Sequence, residues 1–391
     1  KEDYEALGPE TAVMRSINGL GCKAVINNWV GAEVAPDGLR WWFVAHGGHD
    51  AYGGNEAYLL DLTNEKPWSL LSLPSPRIRY EVAANGEVTF LEEAQWKGCP
   101  EAVKGMTPRR QERNARACTK YGPAASHTYS TQAYMNGKIY LRSVSTYAAN
   151  TIINQGAWIF DPAQACIELE RASLVPNLER LNPKNIRSNC DPSAAWTYLG
   201  QRNPGVITPL PLTNRVLYSW KTPGQGSLED ADGNVLRNSG ARGGSVPFAS
   251  LKSQWIPSLE IGVINKQAQR WFYVMPDGEV RSPRGVKNNR AFALVDTSAL
   301  DVKLSGHFSY DPESDDFLIL QKTELFRISR EDLEDDDTAD IASVPLDWSN
   351  IRDPKPQPYN GFVYIESANV HCMMNRGAIG GQFLMCFRYR F

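Results

Sequence analysis

The feature that most constrains this chain is a repeated order of short apolar runs, each cut by Gly, Pro, Asn or Asp. The first copy reads Trp29–Val34, a Pro36-Asp37-Gly38 turn, and Leu39–Ala45. A stretch rich in Gly and His follows, His46-Gly47-Gly48-His49 and then Tyr52-Gly53-Gly54-Asn55-Glu56. Ala57–Leu62 and Trp68–Leu71 complete the copy. Runs of this length between turn formers are strand signals. With 31 Gly and 25 Pro, the composition favours turns over long helices.

A second copy runs from Thr128–Met135 through an Asn136-Gly137 hairpin turn to Lys138–Ser143. Ala157–Asp161 then matches Ala57–Asp61, and Ala165–Leu169 is expected to close the unit. Later copies keep the strand order. Val206–Leu210 and Arg215–Trp220 flank Thr213-Asn214, and Ser258–Ile264 and Arg270–Met275 flank Asn265-Lys266. His307–Leu320 reads as strand, turn, strand and leads into Glu324–Ile328. Gly361–Ile365, Val370–Met374 and Gln382–Tyr389 repeat the order once more.

Four strands in roughly 45 residues make one blade of a β-propeller. The fold class expected is therefore all-β, a single propeller domain over residues 1–391, with six blades or, as the alternative, seven. The last unit stops after its third strand. An open ring leaves unpaired strand edges, so a segment near Thr11–Ile17 is expected to supply the fourth. Leu73–Gly122 is too long for a connection and reads as an insertion with one short helix. The acidic run Glu331–Asp337 reads as a solvated turn.

The segment His46–Leu62 with Trp68 resembles a kelch repeat, with its double Gly, an aromatic in the third strand and a Trp in the fourth. Ser126–Tyr129 with Asn136–Tyr140 resembles the opening of another. The resemblance implies a kelch-like propeller and implies function only weakly, because such propellers serve bacterial, phage and extracellular proteins as well as galactose-oxidase-like enzymes. No copper-radical pattern carries over.

Net charge is −3, which selects neither nucleic acid nor an anionic membrane. No apolar run reaches the ~18 residues needed to span a bilayer. No signal peptide is visible at the start of the numbering. Of seven cysteines, Cys99 with Cys118, Cys166 with Cys190 and Cys372 with Cys386 flank or oppose one another along the chain. Three bridges would leave Cys22 free, and reduced buried thiols fit equally well. If the bridges form, the setting is extracellular, periplasmic or a particle surface.

Five histidines, His46, His49, His127, His307 and His371, recur near strand ends. Gathered at one rim they would make a metal or general-base site; singly, each can cap a strand. His127 with Tyr129, and His307 with Tyr310, place an imidazole near a phenol. With Arg142 or Arg215 to neutralise an acid group, such pairs suit cleavage of an acidic polysaccharide. The catalytic candidates are thus His127, Tyr129, Arg142, His307 and Tyr310. The binding candidates are His46, His49, Tyr52, Asn55 and Glu56, together with Arg109, Arg110 and Arg113 of the insertion. The basic stretch Lys104–Lys120 lacks interleaved aromatics, which argues against single-stranded nucleic acid.

No metal ligand set or cofactor can be named. G-x-S-x-G, H-E-x-x-H, the phosphate loop and the dinucleotide fingerprint are absent. The leading expectation is a binding or structural propeller that presents loops to a protein or acidic glycan partner, with membership of a larger surface or virion assembly included. The alternatives are a polysaccharide lyase or hydrolase, and a metal-binding propeller.

Overall fold

The computed structural model describes residues 32–45, 55–65, 68–72, 75–95, 97–115, 118–123, 131–142, 156–166, 190–201, 205–219, 226–238, 251–266, 270–284, 293–294, 307–321, 323–335, 340–347, 362–374 and 384–389. The chain forms two compact units, Lys1–Glu33 with Arg40–Pro204, and Val34–Leu39 with Gly205–Phe391.

The first sheet joins β1 (Glu33–Val34), β2 (Arg40–Val44), β3 (Ala57–Asp61) and β4 (Trp68–Ser72) in that order. A separate hairpin follows, β5 (Tyr80–Val82) with β6 (Val88–Phe90), and then helices α1 (Gly98–Lys104) and α2 (Pro108–Ala115). The next sheet joins β7 (Gln132–Met135), β8 (Lys138–Arg142), β9 (Gly156–Phe160) and β10 (Trp196–Gln201).

In the second unit the sheets are again meanders. The first joins β11 (Val206–Leu210), β12 (Arg215–Ser219), β13 (Gly226–Asp230) and β14 (Val235–Asn238). The second joins β15 (Leu251–Ile256), β16 (Ile261–Lys266), β17 (Arg270–Val274) and β18 (Val280–Arg281), with β19 (Ala293–Leu294) also on β17. Then come β20 (His307–Asp311), β21 (Asp316–Gln321), β22 (Glu324–Ser329), helix α3 (Arg330–Asp335) and β23 (Ala342–Val344), with the four strands in one sheet. The last sheet joins β24 (Phe362–Ile365), β25 (Val370–Met374) and β26 (Leu384–Phe387). Six such sheets in sequence are the blades of a six-bladed β-propeller.

Sheets that pack on both faces need strands that are apolar throughout. β3 (AYLLD) and β9 (GAWIF) are buried along their whole length. In the second unit one face of β15–β17 supplies Ile256, Val263, Trp271 and Tyr273 to a core shared with Phe308, Phe317 and Phe326. The opposite face sends Ile264 and Phe272 into a core with Leu217 and Leu228. Period-two alternation sorts each strand's side chains between its two neighbours.

The turns follow backbone chemistry. Asn136 and Gly137 take φ of 51° and 81°, the type I′ hairpin that Asn-Gly favours. A second device recurs between the first and second strands of three blades. Short 3-10 turns at Pro211–Thr213, Pro257–Leu259 and Glu366–Ala368 each end in a left-handed residue, Asn214, Glu260 or Asn369. The turn before β16 therefore lies at 257–260, and the strand expected over Ser258–Ile264 is Ile261–Lys266 instead.

Three further expectations are corrected. The second blade closes with Trp196–Gln201, not Ala165–Leu169. Asp161 caps a 3-10 turn at Pro162–Gln164 and so ends β9. The chain is then bridged from Cys166 to Cys190 before a second capped turn, Pro192–Ala195, delivers β10. The insertion holds a hairpin and two helices rather than one helix. The acidic run starts as helix α3, in which Leu333 and Glu334 are buried. Thr11–Ile17, Cys22 and the double glycines at 47–48 and 53–54 lie outside the described residues.

Two glycines separate steric from conformational need. A Cβ on Gly226, opposite Ser219 in the ladder, would lie 1.6 Å from the Tyr218 carbonyl oxygen. One on Gly137 would meet nothing within 4 Å. Gly226→Ala is expected to cost about 3 kcal/mol or more, and Gly137→Ala about 1 kcal/mol for its left-handed backbone. Urea denaturation of both variants checks this; equal losses would refute the steric argument.

Candidate functional site

The insertion is a braced lobe. Cys99 in α1 is bonded to Cys118 beyond α2. Gln111 of α2, buried, accepts at 2.8 Å from the Val88 amide of β6 and donates to the Met106 and Lys104 carbonyls. That one side chain fixes the second helix to the hairpin and to the turn between helices. At the base, Asn55 joins three segments. Its Oδ1 accepts from the Ser75 amide at 2.7 Å, and its Nδ2 donates to the Pro123 carbonyl at 2.7 Å and to the Tyr121 carbonyl. Gln95 donates to the Trp196 carbonyl of β10 at 2.8 Å.

The charges on this lobe divide into two sets. Residues 75–123 carry nine Lys or Arg against six Glu in a chain of net charge −3. Glu92 lies between Arg79 and Lys120, and these two cations hold its carboxyl below the usual range. Lys104, Arg109 and Arg110 are exposed, and among the described residues none of them forms an ion pair. Arg113 lies on the same helix. The lobe can thus offer fixed, unneutralised positive charge to an acidic group.

The other candidates are distributed as follows. His46, His49, Tyr52, His127 and Tyr129 lie outside the described residues. Asn55 is committed to the base of the insertion, and Glu56, buried beside it, accepts from the Tyr58 hydroxyl at 2.9 Å. Arg142, at the end of β8, is 1% exposed. Residues three apart in a strand occupy opposite faces, so position 307 and Tyr310 do not share one. The Tyr310 hydroxyl donates to Asp315, which also accepts from Arg330; Arg330 in turn reaches Glu334, and Glu334 accepts from Tyr273. Burial, then the Asp315 carboxylate, raises the Tyr310 phenol above its ordinary value. It stays protonated at neutral pH and serves this network.

Sequence reasoning missed the association that His371 makes. His371 of β25 bonds through Nδ1 to the Ser309 hydroxyl at 2.9 Å and through Nε2 to Asp311 Oδ2 at 3.1 Å. Ser309 and Asp311, two apart on β20, share one face. The order Ser, His, carboxylate is that of a hydrolytic triad. Its setting is not, because Ser309 is 0% exposed, His371 1% and Asp311 2%, beneath Phe362, Tyr364 and Phe387. Sealed in this way it is a polar clamp between two blades. No spacing signal links residues sixty apart, so only the fold reveals it. Lys252 of β15 is also buried, and loss of solvent pushes its amine down to about 7. Among the described residues no three His, Cys, Asp or Glu side chains are placed to hold a metal ion, and no helix there is long and apolar enough to cross a membrane.

A scan against family models and a search of curated protein sequences each find no match. Among solved structures, the chain is similar to an auxiliary nutrient binding protein from Bacteroides ovatus, at 9% identity and TM-score 0.45, covering 90% of this chain and 67% of that one. It is similar to a streptogramin B lyase at 11% identity and TM-score 0.40, covering 93% and 95%. It is similar to a periplasmic gluconolactonase from Pseudomonas aeruginosa at 11% identity and TM-score 0.33, covering 82% and 89%. Likeness at this level assigns no activity. Three disulfides are the mark of a chain that folds outside a reducing cytoplasm.

The clamp makes a prediction about acid. Burial alone would raise the Asp311 carboxyl, but bonds from His371 and from the Ser314 and Glu313 amides outweigh it and hold the group below its ordinary value. A depressed carboxylate stabilises the fold above its unfolded pKa of about 4 and loses that contribution as pH falls through the folded value. Asp311→Asn should cost about 2 kcal/mol at pH 7 and flatten the decline below pH 4. Chemical denaturation from pH 7 to pH 3 checks this; an unchanged pH profile in the variant would refute it.

Proposed function

We propose that this chain is a binding propeller that engages an acidic glycan through the lobe at residues 75–123. One observation carries the reading: a cross-linked, internally bonded insertion displays Lys104, Arg109 and Arg110 with no ion-pair partner among the described residues. A flexible loop would lose conformational entropy on binding. A lobe fixed by Gln111, Asn55 and a disulfide has already lost it during folding, which favours affinity. A location outside the cytoplasm, periplasmic or at a cell or particle surface, is where such a ligand would be met.

The test is retention on immobilised sulfated and carboxylated polysaccharides across a salt gradient. The wild-type chain should bind at low salt and elute as screening increases. The triple variant Lys104→Ala, Arg109→Ala, Arg110→Ala should bind at least about tenfold more weakly with unchanged thermal stability, because all three residues are exposed. Equal retention of variant and wild type would sink the reading. So would binding of an acidic peptide such as polyglutamate with none of the glycans.

A further inference from the structure

We propose that the Cys372–Cys386 disulfide is a thiol-exchange site, opened by an external dithiol while the rest of the chain stays folded. The three disulfides differ in what they tie. Cys99–Cys118 and Cys166–Cys190 close sequence separations of 19 and 24 residues, and none of these four cysteines lies in a strand. Cys372 and Cys386 stand directly opposite each other on β25 and β26, with Cα atoms 4.1 Å apart, as one of four registered pairs. The ladder keeps these two residues facing whether or not their sulfurs are joined. Opening this bond leaves the sheet standing and the thiols placed to re-form it.

Access separates the bonds as well. Cys99, Cys118, Cys166 and Cys372 are buried and Cys190 is half-buried, whereas Cys386 is exposed. Exchange needs a thiolate to approach one sulfur of the bond, and Cys386 is the most exposed of the six. The reductant's thiolate attacks Cys386 Sγ. The Cys372–Cys386 bond breaks, and Cys372 Sγ leaves with the electron pair and takes up a proton. The reductant's second thiol then attacks the mixed disulfide, releasing Cys386 as a thiol. The chain gains two electrons and two protons, and the dithiol becomes a disulfide.

The consequence falls on β26. His371 and Phe387 are the adjacent pair of the same ladder, with ring centroids 5.8 Å apart, and His371 is the centre of the polar clamp to Ser309 and Asp311. A disulfide across so short a loop suppresses opening on the order of 100-fold. In the reduced chain β26 opens more often by that factor, and Phe387 leaves the histidine ring when it does.

The experiment treats the native chain with graded dithiothreitol, blocks free thiols by alkylation, and maps the label by peptide mass spectrometry. Cys372 and Cys386 should be labelled at least about tenfold faster than the other four bonded cysteines. Amide exchange in 384–387 should rise on the order of 100-fold while β20–β22 stay protected, and in an unalkylated sample replacing the dithiol with oxidised glutathione, which takes up the two electrons, should restore the bond. The double variant Cys372→Ser, Cys386→Ser should show that fast exchange without reductant. Reduction of all three bonds together, reduction of this one last, labelling only alongside loss of protection in β20–β22, or an unfolded double variant would each overturn the proposal.

Discussion

Burial of each blade on two faces is the constraint from which most of this structure follows. A sheet packed on one side can keep polar residues on the other. These sheets cannot, so β3, β9 and β17 are apolar on consecutive residues, and aromatic rings pack sheet to sheet, Trp271 against Phe308 and Phe317 at about 5 Å between centroids. Polar side chains caught between sheets must find partners there. Thr208 meets Ser253 at 2.6 Å, and Ser309 and Asp311 meet His371. The histidine is satisfied by the packing that hides it.

The same rule explains why the insertion is ordered. A lobe of fewer than fifty residues has too little core to hold itself firmly. This one adds a covalent link, a buried glutamine that spans hairpin and helices, and an attachment to the Trp196 carbonyl. Its exposed surface is then released from structural duty, and Lys104, Arg109 and Arg110 stand there without an ion pair among the described residues.

The fold was largely legible in the residues. Strand runs, the Asn136-Gly137 turn and the three-strand C-terminal unit all arise from local chemistry, and local chemistry is what a sequence displays. The errors came where a distant contact overrides it. Ala165–Leu169 carries a strand pattern, but Asp161 and Pro162 turn the chain and the bond from Cys166 to Cys190 carries it past. The acidic run looked solvated because nothing nearby in sequence reveals Tyr273, which together with the adjoining Arg330 holds Glu334 inside. Site chemistry was less legible for the same reason. Asn55 and Tyr310 have residue types suited to binding or catalysis, and their partners, at Ser75, Pro123 and Asp315, give them structural work.

The Asn55 amide has one further implication. It holds the Ser75 amide and the Pro123 carbonyl within hydrogen-bond reach of a single side chain, so the two ends of the lobe, at residues 75 and 123, are neighbours in space. A lobe whose two stems meet in this way is topologically a cassette. Evolution can lengthen it, trim it or exchange it for another without shifting the register of any strand, and one propeller scaffold can thereby acquire a different surface while its sheets stay as they are.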